Sequence, residues 1–138
     1  MEVQPLISVI VPVYNTPEKL LIAAIDSVRN QSYPHWELCI CDDASPNKSV
    51  RSCLSELAAK DSRIKLTFSA KNGGISRATN QAAGLANGKY FALMDHDDEL
   101  TPNALYEIAK AINSDREVEV IYSDQDKLNE KGEIEEPF

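Results

Sequence analysis

Carboxylates gather at one place in this chain, Asp95-His96-Asp97-Asp98, with Glu99 beside them. Magnesium and manganese favour oxygen ligands, and carboxylates held at a strand end can grip such an ion while leaving positions for substrate phosphates. Carboxylates this close also repel one another, so a cation or strong hydrogen-bond donors must keep them charged. A structural role fits the same residues: Asp97 and Asp98 would cap the next helix, and Asp95 would end a strand. Spacing leaves both open. His96 is a further candidate ligand, although in an extended segment its ring would point away from the side shared by its neighbours.

Other polar positions follow apolar runs in the same way. Asp42 and Asp43 suit hydrogen bonding to a base or ribose, and equally suit capping of a helix through turn geometry. Asn72-Gly73-Gly74 permits close backbone approach to a ligand at a helix start, though Asn-Gly is also an ordinary turn. Arg77 falls near the first turn of that helix, where a positive charge gains nothing from the helix dipole. A phosphate or acidic partner would explain it, as would a surface ion pair. Asp124 and Asp126, two residues apart, face either the same cleft or solvent.

The elements that must position these residues alternate along the chain. Leu6 to Val13 is an almost unbroken branched apolar run, as expected of a strand buried on both faces of a parallel sheet. Pro12 ends its ladder, and Tyr14-Asn15-Thr16-Pro17 turns into a helix with Thr16 as cap, Pro17 at its first position and an apolar face of Leu20, Leu21, Ala24, Ile25 and Val28. Trp36 to Cys41 is a second strand, followed by a helix from Asn47 to Ala59. Ile64 to Phe68 is a third strand. The next helix carries an inward face of Ile75, Ala78, Thr79, Ala82 and Ala83, weakens at Gly84 and stops at Gly88. Tyr90 to Met94 is a fourth strand, Thr101 with Pro102 starts a fourth helix, and Val118 to Tyr122 is a fifth strand.

Strands alternating with helices over short connections predict a single α/β domain, a mostly parallel Rossmann-like sheet covered by helices. Ligands of such sheets bind outside the carboxyl ends of the strands. That edge collects Pro12 to Asn15, Asp42 and Asp43, Ser69 to Gly74, Asp95 to Asp98, and Ser123 to Asp126.

Composition narrows the classes. The 138 residues are 43% hydrophobic, enough for a core, and carry a net charge of -8. From Asp95 onward there are fourteen Asp/Glu and four Lys/Arg, which argues against nucleic-acid binding. Cys39, Cys41 and Cys53 lack metal-ligand spacing and read as small core residues in a reducing compartment. The start of the chain lacks the pattern of an export signal, and no apolar run approaches membrane-span length. A soluble, cytoplasmic chain is expected. The first strand is not followed by the glycines of a dinucleotide fold or a Walker lysine motif, and no nucleophile elbow occurs.

Five segments together resemble the family 2 glycosyltransferases, inverting enzymes of the GT-A fold. They are Val9 to Asn15 (VIVPVYN), Ser27 to Tyr33 (SVRNQSY), Glu37 to Ser45 (ELCICDDAS), Asn72 to Asn80 (NGGISRATN) and Leu93 to Asp98 (LMDHDD). The resemblance covers nearly the whole chain. It implies that Pro12, Tyr14 and Asn15 line a nucleotide pocket with Asp42, Asn72 and Gly73 nearby, and that Asp43 bonds a uracil or thymine base. Arg77 would lie near the diphosphate, Asp95 toward the ribose, and Asp97 would hold Mn2+ or Mg2+.

The implied reaction transfers a sugar from a UDP- or dTDP-type donor to an acceptor hydroxyl with inversion. Ile121 to Lys127 (IYSDQDK) resembles members that build bacterial surface polysaccharides, which implies a saccharide or lipid-linked saccharide acceptor and work at the inner face of the membrane. The acceptor-binding part and its catalytic base are expected beyond this chain. The alternative is a noncatalytic nucleotide-binding or interaction module with the same fold. A sugar-nucleotide-forming nucleotidyltransferase would need a Gly-rich basic loop after the first strand, where Tyr14-Asn15-Thr16-Pro17 stands.

Overall fold

The computed structural model describes residues 4–114. The expected fifth strand, Val118 to Tyr122, and the Asp124 and Asp126 pair lie outside the described residues. Within them the chain runs β1 (Ile7–Val13), α1 (Glu18–Arg29), β2 (Trp36–Asp42), α2 (Lys48–Lys60), β3 (Ile64–Phe68), α3 (Ile75–Ala83), β4 (Tyr90–Leu93) and α4 (Ala104–Ser114).

The strands form one sheet in the order β3-β2-β1-β4, and every pairing is parallel. β1 and β2 are buried at every residue, which is why their sequences run apolar without alternating. The two faces are covered unequally. Ile7, Val9, Val11 and Val13 pack with Leu38, Ile40 and residues of α1, α2 and α4 in the larger core. Ile10, Cys39 and Cys41 face Ala78 and Ala82 of α3 in a smaller one. Each fully buried Ile or Leu here contributes roughly 1.5–3 kcal/mol, so the larger face carries most of the hydrophobic stabilisation. The small side chains of α3 let its backbone lie close to β1 and β2. All three cysteines are free and buried, as core residues should be, and burial pushes the Cys39 thiol up to about 12.

Several sequence expectations are corrected. Thr16 does not cap α1: the helix starts at Glu18 behind Pro17 with no side-chain cap, because the Thr16 hydroxyl is engaged elsewhere. α2 is capped by Asn47, whose side chain accepts the Ser49 N–H, so neither Asp42 nor Asp43 performs that task. α3 ends at Ala83 with Gly84 as its cap, short of Gly88. Ile75, expected on the core face, is 64% exposed and lies outside both core clusters.

At the opposite end of the sheet, α3 leads into β4 through a polar anchor. Glu37 is 4% exposed. It accepts hydrogen bonds from Ser8 Oγ and the N–H groups of Asn87 and Gly88, and pairs with Lys65 Nζ at 2.6 Å. Burial alone would raise its carboxyl pKa; the Lys65, Ser8, Asn87 and Gly88 hydrogen bonds outweigh it and hold the group below the usual glutamate value. Gly88 is required there, since a Cβ would stand 2.7 Å from the Leu6 carbonyl oxygen and closer still to Ser8 Oγ.

Candidate functional site

Parallel strands place all their carboxyl ends on one edge. The connections run from β1 outward to β2 and β3, then α3 returns the chain to β4 on the other side of β1. The direction therefore reverses between β1 and β4, where open α/β sheets place their ligands.

An open cleft of about 230 Å³ lies on this edge, lined by Pro12, Val13, Tyr14, Asp43, Asn72, Gly74, Ile75, Ala78 and His96. Residues from four separate segments thus meet in one place. Pro12, Tyr14, Asp43 and Asn72 are among those expected from the sequence. Ala78 is core, as its spacing predicts, and also borders the cleft; Ile75, on the same predicted face, is exposed there, and His96 is the candidate ligand. An apolar residue on a helix start gives no signal of its own that it borders a cleft.

The loops are lashed together by hydrogen bonds. Asp42 is fully buried, and its carboxylate accepts both the N–H and the hydroxyl of Ser45. The Ser45 Oγ in turn accepts the Asn15 N–H at 2.7 Å. This joins the β1 and β2 loops and holds Asn15 and Ala44 at φ of 50° and 58°, a left-handed conformation that Asn tolerates and Ala resists. Asp43, 3% exposed, accepts the N–H of Gly73 at 2.9 Å and of Gly74 at 3.0 Å, which ties the β2 loop to the start of α3. Thr16 Oγ1 meets His96 Nδ1 at 2.7 Å and ties the β1 loop to the segment after β4.

That last segment is a turn, closed by the Asp98 N–H to the Asp95 carbonyl at 3.2 Å. The expectation that an extended backbone would turn His96 away therefore does not apply. Asp95 and Asp97 are exposed. Among the described residues no group of three or more His, Cys, Asp or Glu is gathered to enclose a metal. One or two exposed carboxylates still suit Mg2+ or Mn2+, which keep waters and take substrate phosphates as their remaining ligands. Among the described residues the donor set fits a substrate-bridged cation.

Arg77 is exposed at the first turn of α3, its side chain folded over Gly73, and forms no ion pair with a described residue. Gly73 itself does not line the cleft, but a Cβ there would collide with the Arg77 side chain. Asn15, Asp42, Gly73, Arg77, Asp95 and Asp97, also expected at the site, do not line the cleft; Asn15 and Asp42 take part in the hydrogen bonds that join its loops.

With this geometry the chain is at home in a known class, sugar-transferring proteins of the GT-A fold. Residues 8–136 match the family described as Glycosyl transferase family 2, and the chain belongs to that family. It is 34% identical over 135 residues to the O-antigen biosynthesis protein RfbC of Myxococcus xanthus, covering 98% of this chain and 11% of that protein. It is 32% identical over 130 residues to the chondroitin synthase of Escherichia coli, covering 94% and 18%. Among solved structures it is similar to S. aureus TarS in complex with UDP-GlcNAc, with a TM-score of 0.71, 27% identity, and coverage of 80% of this chain and 32% of that one. The mannosyltransferase PcManGT of Pyrobaculum calidifontis, in complex with GDP-Man and Mn2+, gives a TM-score of 0.68, 26% identity, and coverage of 80% and 32%. The chain therefore spans under a fifth of these two curated relatives and about a third of these solved chains. No helix among the described residues is long and apolar enough to cross a membrane.

Proposed function

We propose that residues 1–138 are a nucleotide-sugar-binding domain that holds a UDP- or dTDP-type donor for transfer of its sugar to an acceptor hydroxyl with inversion. The observation that carries this is the convergence of Pro12, Tyr14, Asp43, Asn72 and His96 on one cleft beside the Asp95–Asp98 turn. Family membership and the nucleotide sugars named with the solved relatives support it.

In this reading Tyr14, 45% exposed at the cleft, offers an aromatic face to the base. Asp43 sits in the same wall and presents acceptor oxygens to base N–H groups while anchoring Gly73 and Gly74. Arg77 supplies positive charge toward the diphosphate. Asp97, with Asp95 beside it, would hold Mn2+ or Mg2+. That cation supplies neutralisation of the charge growing on the leaving diphosphate. The chain's own residues bind and orient the donor. The base that accepts the acceptor's proton is assigned to no residue here.

Relatives named for O-antigen and teichuronic acid biosynthesis support a saccharide acceptor in bacterial surface polysaccharide assembly; a lipid-linked acceptor and work at the inner face of the membrane are part of the same proposal. Calorimetric titration of the chain with UDP and dTDP, with and without Mn2+, tests the reading. Binding strengthened by Mn2+ and weakened roughly ten-fold or more in Asp97→Ala is expected. Equal binding by wild type and Asp97→Ala in Mn2+ would overturn the metal assignment, and no binding at all would overturn the whole.

A further inference from the structure

Thr16 and His96 face each other across the point where the sheet reverses direction, and neither is explained by the family match alone. Thr16 is 1% exposed, so its hydroxyl cannot turn to water. Among the described residues its one hydrogen-bond partner is His96 Nδ1, at 2.7 Å. A buried hydroxyl proton without an acceptor costs about 1–3 kcal/mol. If Nδ1 carried the hydrogen, it would be the donor and the Thr16 proton would be stranded. The buried hydroxyl is satisfied when it donates and Nδ1 accepts, which places the ring hydrogen on Nε2. His96 is only half-buried and lines the cleft. With Nδ1 held by the β1 loop, the edge left for the cleft is the one bearing Nε2.

We infer that Thr16 is a positioning residue that locks His96 as an Nε2–H donor in the cleft wall, between Asp95 and Asp97, for a phosphate oxygen of the bound nucleotide. The arrangement solves a local problem. The Asp95–Asp98 turn is rich in negative charge, and a diphosphate entering it needs donors as well as a cation. A donor fixed in place forms its bond without the cost of ordering a mobile side chain. It also ties the metal-side turn to the nucleotide-side loop. This inference rests on the proposed nucleotide reading, and two measurements separate their failures.

The first needs no ligand. The chain has two histidines, so the ring nitrogens of His96 and His35 can be assigned by long-range proton–nitrogen NMR at pH 8. The wild type and Thr16→Ser should show His96 with Nδ1 unprotonated and Nε2 protonated. Thr16→Val, close in shape but without the hydroxyl, should shift the His96 nitrogens and leave those of His35 in place. A His96 ring protonated on Nδ1 in the wild type would overturn the inference. The second is titration with UDP in Mn2+. Thr16→Val and His96→Ala should each bind roughly ten-fold more weakly, with Thr16→Ser near wild type and all variants melting cooperatively. Binding unchanged in Thr16→Val and His96→Ala would sink the donor role and leave the nucleotide reading standing. A wild type that binds no UDP would sink both.

Discussion

The carboxylate of Asp43 receives the backbone N–H of Gly74 at 3.0 Å, across thirty-one residues of chain, and so fixes where α3 begins relative to the end of β2. Its other oxygen takes the Gly73 N–H. Glycine is needed at 74, because a φ of 89° is open to glycine and strained for other residues. One side chain thus shapes the loop and borders the cleft that the loop encloses.

Asp43→Asn should expose that double role. The amide keeps one acceptor and turns a donor toward a backbone N–H, which leaves a buried group poorly paired. A loss of about 1–3 kcal/mol in urea unfolding is expected, together with weakened UDP binding. Unchanged unfolding would mean that the anchor carries little energy.

Arg77→Ala should behave oppositely. The side chain is exposed and has no ion pair among the described residues, so stability should stay within about 0.5 kcal/mol. UDP affinity should fall several-fold, and the dependence of binding on salt should flatten, because a screened charge contact has gone. Stability loss with intact binding would assign Arg77 to the fold.

Gly88→Ala tests the sheet's far end. The new methyl has nowhere to go between Ser8 and the Leu6 carbonyl oxygen, and overpacking of this kind costs about 1–3 kcal/mol. Chemical denaturation would read it directly. Because the site lies at the other edge, nucleotide affinity measured well below the melting temperature should remain.

Glu37→Gln carries a pH signature. The folded-state pKa is lowered, so the group's stabilisation is present above the unfolded value of about 4.3 and is lost as pH falls through the folded value. The wild type should exceed Glu37→Gln in stability by about 1–3 kcal/mol at pH 7. The gap should close as the solution is taken below about pH 4. A gap independent of pH would place the effect in packing.

Much of the fold was legible in the residues. Strands buried on both faces must be apolar at nearly every position, and β1 and β2 announce themselves that way. The short helices were visible from their periodicity, and the parallel sheet from the alternation. The misreadings have a common cause. Thr16 looked like a cap because local propensity favours one, but its hydroxyl goes to a histidine eighty positions away. Ile75 matched the spacing of a core face, yet it is exposed and lines the cleft. Ser8, Glu37 and Lys65 gave a faint signal, polar residues set among apolar strand positions, which periodicity alone could not join.

For the site, sequence determined which chemical groups were available and which edge of the sheet they belonged to, because strand ends follow from hydrophobic runs. Only the tertiary structure decided which of those groups were already engaged. Asp42 is consumed by Ser45 and Asp43 braces a loop, while Asp97 faces solvent on a turn that His96 links to the β1 loop. Hydrogen bonds between distant loops depend on where the folded chain brings their atoms, and spacing along a chain holds no measure of that distance.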